Sequence, residues 1–301
     1  MAEYPSIHVL DMHTGGEPVR VIRSGYPPVP GDSILAKRRY AREHLDHLRK
    51  LLMFEPRGHF DMYGALLVQP TLPGADLAVL FMHNEGYSTM CGHATLALGR
   101  YAVDYGLVPK AEPVTYIGLE CPCGLVQVEV EVAGGHAGRV RFRSVPAFLL
   151  AGQRRVEVPG AGPVLTDVSY GGAFYALAPA AAFGLDVRAS RTRDLVDAAD
   201  ALSAAVRAQL AITHPLEADL GFLYGSILTD GRDRPDQGPS ANICVFANSE
   251  VDRSPTGSGV TARMAARFQR GLVQAGQAHY TGEARYWLEP GDTLGQGFLL
   301  R

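Results

Sequence analysis

The sequence predicts an α/β protein built as two halves on one plan, each half organised around a central helix. Two stretches and a weak repeat predict it. Gly86-Tyr-Ser-Thr-Met-Cys91-Gly-His-Ala-Thr-Leu-Ala-Leu-Gly-Arg-Tyr101 opens with small and hydroxyl residues and continues as Ala/Leu-rich sequence, the pattern of a helix beginning near Cys91. Asp252-Arg-Ser-Pro-Thr256-Gly-Ser-Gly-Val-Thr-Ala-Arg-Met-Ala has the same design, a cap-like loop, a residue followed by Gly, then an amphipathic run to about Arg270. The repeat is one of element order. Gly15-Gly16 stands ahead of Cys91 much as Gly171-Gly172 stands ahead of Thr256.

In order, Ser6 to Met12 reads as a strand entering the turn His13-Thr-Gly-Gly-Glu-Pro, and Val19 to Arg23 as its return. Asp32 or Ser33 caps a helix through Lys50, whose Arg, Lys, Glu and His density reads as a solvated face. Ala65 to Gln69 and Leu77 to Met82 are short strands leading to the Cys91 helix, for which Ser88 or Thr89 is the expected cap. Three strands follow, Val114 to Leu119, Gly124 to Val132 and Arg139 to Val145. The alternation of Val126, Val128, Val130 and Val132 with Gln and Glu marks the second as half-buried. Pro146 to Pro159 is expected to cross between domains. Val164 to Ser169 then enters a second Gly-Gly turn, Thr192 to Leu210 is helical, and Phe222 to Leu228 and Asn242 to Phe246 are strands. Trp287 and Phe298 to Leu300 are read as closing strands added back to the first half. The domains expected are thus 1–150 with about 285–301, carrying Cys91, and 151–284, carrying Thr256.

The composition is that of an ordinary globular chain, 47% hydrophobic and 20% charged over 301 residues. A net charge of −3 gives no case for nucleic acid or an anionic membrane surface. No apolar run approaches a membrane span, and the N-terminus lacks a signal peptide's basic and apolar regions. Cys91, Cys121, Cys123 and Cys244 are too few for a disulfide framework, and Cys121-Pro-Cys123 lacks a second pair for zinc. These features predict a cytoplasmic protein with reduced thiols.

A Cys at a helix start is usually a buried packing residue. Here it has a partner. Cys91 sits where the helix dipole is positive, so its thiol is expected to titrate below a free one, with Gly92 admitting a ligand and His93 orienting the sulfur. Two helix N-termini facing each other would hold one small anion between them. Such a site suits proton abstraction beside a carboxylate, which needs a base at one face and N–H donors for the charge that builds on the carboxylate. Asp252 could bind a substrate ammonium, or simply cap the second helix. His59, Asp61, His83 and Glu17 are conceivable metal ligands without a supporting spacing, and no metal or cofactor is expected.

The segments Asp11-Met-His-Thr-Gly-Gly-Glu-Pro, Glu55-Pro-Arg-Gly-His-Phe-Asp-Met, Met90-Cys-Gly-His-Ala-Thr, Gly171-Gly-Ala-Phe-Tyr-Ala and Asp252-Arg-Ser-Pro-Thr-Gly-Ser-Gly-Val-Thr-Ala-Arg resemble the proline racemase family, in family order and over most of the chain. The resemblance implies a cofactor-free enzyme of two pseudo-symmetric α/β domains, each a central helix wrapped by mostly antiparallel sheet as in diaminopimelate epimerase, with substrate in the interdomain cleft. It implies that Cys91 is a catalytic base, that Gly92, His93, Gly257 and Ser258 line the carboxylate pocket, and that Asp252 meets the ring nitrogen. Racemases and 4-hydroxyproline epimerases of the family carry a second Cys where this chain has Thr256. The Cys/Thr pair is similar to the branch that dehydrates trans-3-hydroxy-L-proline, in which Thr256 becomes a positioning group beside Cys91.

Two other readings stay open at this level. One is a racemase or epimerase that has recruited a different second acid. The other is a catalytically idle amino-acid-binding protein, which an intact Cys91, His93 and Asp252 argue against. A homodimer is compatible with the sequence, which does not fix the oligomeric state.

Overall fold

The computed structural model describes residues 6–274. The expected closing strands at Trp287 and at Phe298 to Leu300, with the 285–301 addition to the first domain, lie outside the described residues.

Two sheets carry the architecture. In the first, β1 (His8–Thr14), β2 (Glu17–Ser24), β3 (Tyr63–Val68), β4 (Leu77–His83), β6 (Val114–Cys121), β7 (Gly124–Ala133) and β8 (His136–Arg143) are neighbours in that order, with β5 (Gly86–Ser88) paired to β4. In the second the order is β14 (Glu250–Asp252), β13 (Asn242–Phe246), β12 (Leu223–Thr229), β11 (Phe174–Pro179), β10 (Gly162–Tyr170) and β9 (Phe148–Val158). Among the described residues, only the β2–β3, β4–β6 and β11–β12 pairings are parallel. Each sheet curls about one helix. The first takes α3 (Gly92–Asp104), which packs on β1, β2, β6, β7 and β8; the second takes α5 (Gly257–Gln269), which packs on β9, β10 and β11. The longer α4 (Thr192–Gln209) covers β12 and β13 from outside.

The sequence explains these placements. Ala94, Ala97, Leu98, Tyr101 and Ala102 bury α3 against the sheet, and nearly its whole circumference is enclosed, as expected of a central helix. Val126, Val128, Val130 and Val132 all point into the core from β7, with Gln127, Glu129 and Glu131 facing away. One apolar cluster runs through both sheets, so the two central helices share a packed interior, and a second lies between α1, α2 and the first sheet.

The structure departs from the sequence reading at several places. The expected helix to Lys50 is two, α1 (Ile34–His44) and α2 (Asp46–Met53), broken at the buried Leu45. Arg39, Arg42, His44, His47 and Lys50 form the solvated face read from the sequence, but three basic residues are interior. Lys37, Arg38 and Arg49 are buried, and their side chains tie down carbonyls at Gly31, Tyr87, His83 and Asn84. Guanidinium groups can be enclosed when their N–H groups are paired this way, and here they brace the turn that leads to Cys91. Residues 146–159 are mostly strand β9 rather than a crossover. Ser33 caps α1 through the Ala36 N–H, as one of the two candidates expected. Neither Ser88 nor Thr89 caps α3: Ser88 meets Tyr63, Thr89 donates to the Gly172 carbonyl at 2.6 Å, and Cys91 is itself the cap.

Candidate active site

The two central helices start against each other. A Cβ on Gly92 would stand 2.8 Å from the Gly257 Cα, and one on Gly257 would stand 2.9 Å from the Gly92 Cα. Only glycine permits backbones this close. Around the contact lies a small cavity whose lining includes Cys91, Gly92, His93, Asp252, Thr256, Gly257 and Ser258. All seven residues singled out from the sequence therefore meet at one place. The first N–H groups of an α-helix have no intrahelical partner, so both helix starts present donors, and a positive dipole end, to a carboxylate.

Cys91 is extended (φ −145°, ψ 113°), and its sulfur accepts the Ala94 N–H at 3.4 Å. Because Cys91 precedes the helix rather than lying on it, its side chain turns back to His93, whose Nδ1 is 3.2 Å from Sγ. The expectation of a low-titrating thiol is not met. Burial pushes the Cys91 thiol up, the Ala94 N–H opposes this, and the charges of Asp252 and Glu17 raise it further. Burial likewise holds His93 down, so imidazole and thiol form a neutral pair. The dipole argument placed the sulfur correctly but left out desolvation.

Across the cavity, Thr256 begins α5 with a left-handed backbone (φ 63°, ψ 85°), and its buried hydroxyl has the Cys244 thiol as its neighbour. The Ser258 hydroxyl meets the Tyr175 hydroxyl at 2.7 Å. Gly171 permits the β10–β11 turn to lie on α5, since a Cβ there would be 2.2 Å from the Ser258 carbonyl oxygen. Cys244 sits beside Thr256 but outside the cavity lining, and burial raises its thiol.

Asp252 ends β14 and does not cap α5; its carboxylate accepts the Ser254 N–H at 2.7 Å. Two acids from the first half hold the backbone on either side of it. Asp61 accepts the Val251 N–H at 2.9 Å and Glu17 the Arg253 N–H at 2.7 Å. Asp252 is thereby fixed at the cavity by a clamp across the two sheets.

The metal ligands conceivable from the sequence are dispersed: His83 pairs with Glu250 at 3.2 Å, Asp61 is bound to Val251, and His59 is turned to the Phe60 carbonyl. The structure gathers a different trio, Glu17, His93 and Asp252, with donor atoms within 4.8 Å of one another. His93 is already engaged, by Cys91 on one side and the Pro18 backbone on the other, and the Arg253 guanidinium lies 3.5 Å from Glu17. A cation would have to displace these contacts.

The sequence reading missed the rest of the lining. Glu17, named from the sequence only as a conceivable metal ligand, and Tyr63, Met90, Tyr175, Tyr224 and Phe246 complete the wall. Glu17, Met90 and Tyr175 lie inside the motifs Thr14-Gly-Gly-Glu, Met90-Cys-Gly-His and Gly171-Gly-Ala-Phe-Tyr, where their positions offered a signal. Nothing local marks the other three. The Tyr224 and Phe246 rings stack at 5.3 Å and the Tyr63 ring meets His93 edge-on at 4.9 Å, a rigid apolar wall that sheds water from the sulfur.

Comparison with known proteins agrees with this geometry. The sequence matches the proline racemase family over residues 9–283. It is 54% identical to the trans-L-3-hydroxyproline dehydratase of Mus musculus, over 99% of this chain and 95% of that protein. It is 45% identical to a 3-hydroxyproline 2-epimerase of Burkholderia multivorans, over 90% of this chain and 81% of that one. The fold superposes on the crystal structure of a hydroxyproline epimerase from Agrobacterium vitis with bound trans-4-hydroxy-L-proline, with a TM-score of 0.86 and 26% identity over 93% of this chain and 81% of that one. Paired glycine-bearing helix starts, a thiol at one of them and a match spanning nearly the whole sequence lead to one assignment: the chain belongs to the proline racemase family.

Proposed function

We propose that this protein is a cofactor-independent hydro-lyase that dehydrates trans-3-hydroxy-L-proline to Δ1-pyrroline-2-carboxylate. One observation carries the reading: a thiol lines the cavity at the start of α3, and a hydroxyl, Thr256, stands at the matching place on α5. Racemisation needs an acid opposite the base, and a threonine hydroxyl is far too weak for that part. Syn elimination needs only one face. In trans-3-hydroxy-L-proline the Cα hydrogen and the hydroxyl share a face, so one sulfur can serve both.

The substrate carboxylate sits on the N–H groups of Gly92, His93, Gly257 and Ser258, and the ring ammonium faces Asp252. His93, whose Nδ1 lies 3.2 Å from the sulfur, takes the thiol proton. The thiolate then removes the Cα proton and returns it to the departing hydroxyl as water. The C–H and C–O bonds break, a C=C bond forms, and the enamine tautomerises to the imine. Thr256 positions the ring. A working thiol suits a reducing compartment, and the reading places the enzyme in the cytoplasm.

The similarity to a 3-hydroxyproline 2-epimerase gives the second reading specific support. Product analysis separates them. With trans-3-hydroxy-L-proline, trans-4-hydroxy-L-proline and L-proline side by side, dehydration of the first alone is expected. Conversion of any of the three to its C2 epimer as the main product would replace the lyase reading with the epimerase one.

A further inference from the structure

We propose that Glu17 and Asp252 form a two-carboxylate clamp for the ring ammonium, sharing one proton while the site is empty and releasing it when substrate binds. This rests on the reading of the substrate as a cyclic imino acid, and adds a residue and a proton to it.

The clamp is built from both halves of the molecule. Glu17 opens β2 immediately after the Gly15-Gly16 turn and is 1% exposed; Asp252 closes β14; both line the cavity. Their oxygens and a ring nitrogen of His93 fall within 4.8 Å of one another. One oxygen of Glu17 is committed to the Arg253 N–H at 2.7 Å, which leaves the other to face the cavity.

The charges around this point do not balance. From the segment before β3 comes Asp61, from β14 Asp252, and from β2 Glu17 itself, three acids close enough to act on one another. Against them stands the Arg253 guanidinium, 3.5 Å from Glu17 but half exposed and so partly screened. The α3 side contributes only His93, held neutral, and the Cys91 thiol, held protonated. Two carboxylates at this spacing, the Glu17 one enclosed, do not both ionise readily without a counter-charge. Burial first, and Asp252 second, hold the Glu17 carboxyl up to about 8. A secondary ammonium lodged between the two acids supplies the missing charge. The exchange balances: a singly protonated acid pair plus a ring ammonium gives a doubly ionised pair holding that ammonium, plus one proton released to solvent.

Calorimetry counts that proton. Cys91→Ser protein binds without turning over, so trans-3-hydroxy-L-proline is titrated into it at pH 7 in buffers of different ionisation enthalpy. Close to one proton released per substrate is expected, falling toward zero above pH 9. Adding Glu17→Gln should remove the release and weaken binding by about tenfold or more. No release in the Cys91→Ser protein, or the same release with Glu17→Gln, overturns the clamp. A kinetic arm uses the otherwise native enzyme. KM should fall as pH rises through 8 and lose that dependence in Glu17→Gln, whereas a purely structural Glu17 would lower activity and leave the profile in place. L-Proline carries the same ammonium and carboxylate without the 3-hydroxyl, so its proton count tests the clamp even if dehydration of trans-3-hydroxy-L-proline fails. Prior dialysis against EDTA should change none of these counts; a count that depends on it would assign the trio to a metal and end the proposal.

Discussion

The starts of α3 and α5 are the same device used in two ways. Each places a glycine at the contact, a small or hydroxyl residue behind it and free N–H groups toward one anion. The residue before the glycine differs. Cys91 has an ordinary extended backbone, takes a helix N–H on its sulfur and lies beside an imidazole. Thr256 has a left-handed backbone and a hydroxyl whose neighbour is the buried Cys244 thiol rather than an imidazole. The shared part binds, and the unshared part decides the chemistry. A frame with two-fold logic can thus run a one-sided reaction when one of its two working positions loses the ability to carry a proton.

The largest expected effect lies where the two starts differ most. Cys91→Ser should lower turnover roughly 10³-fold or more, since a serine hydroxyl cannot ionise to replace the thiolate. Thr256→Ser keeps a hydroxyl and should cost less than about tenfold. Steady-state rates for the pair of variants check this, with Tm confirming that both fold. Equal losses would mean that both positions handle protons.

The symmetric part should break symmetrically. Gly92→Ala and Gly257→Ala each push a methyl into the opposing backbone, which cannot rotate away as a side chain can. Parting the helices by a fraction of an ångström should cost about 10²-fold in kcat/KM, and a strained contact about 1–3 kcal/mol of stability. An effect confined to one of the two would show that only one helix start holds the carboxylate.

These contrasts also show what the sequence made legible. Both helix starts could be read because glycine beside a capping residue ahead of an Ala-rich run is a local signal, and β7 could be read from valine alternation. What was not legible depended on distant partners. Nothing local separates a solvated arginine from Arg38 or Arg49, whose partners are carbonyls near Tyr87 and His83. The break at Leu45 carries no Gly or Pro. The thiol's shift depends on how deeply the fold encloses it, and Tyr63, Tyr224 and Phe246 reach the cavity only through sheet pairing. Thr256 is the sharpest case, because a β-branched residue is among the last expected at positive φ.

A third test tries to restore the lost symmetry. Thr256→Cys places a thiol at the second helix start, facing the same cavity as Cys91. It should bring epimerisation of L-proline or trans-4-hydroxy-L-proline from undetectable to measurable, though slow, because the sulfur would not sit at an optimised distance. Chiral product analysis with deuterium uptake at Cα in D2O reads it. No gain, with the variant folded and still dehydrating, would mean that the barrier to two-sided chemistry is geometric rather than a matter of acidity.

The smallest effect concerns the backbone alone. A non-glycine residue held in the left-handed region costs on the order of 1–2 kcal/mol, and Thr256 is held there. Thr256→Gly should recover that strain. It gives up a buried methyl worth about 1 kcal/mol and adds backbone entropy to the unfolded chain worth roughly as much again. The hydroxyl takes little with it, since its neighbour, the Cys244 thiol, is a weak hydrogen-bonding group. The net change in stability should therefore stay within about 1 kcal/mol. Cys91→Gly has no strain to recover, since its φ of −145° is open to any residue, and it loses the sulfur that caps Ala94. It should lose roughly 2 kcal/mol. Unfolding free energies from urea titration of the two variants should thus differ by about 1–2 kcal/mol in favour of Thr256→Gly, although both abolish or impair turnover. If they lose stability equally, position 256 stores no strain, and the asymmetry between the helix starts resides in their side chains alone.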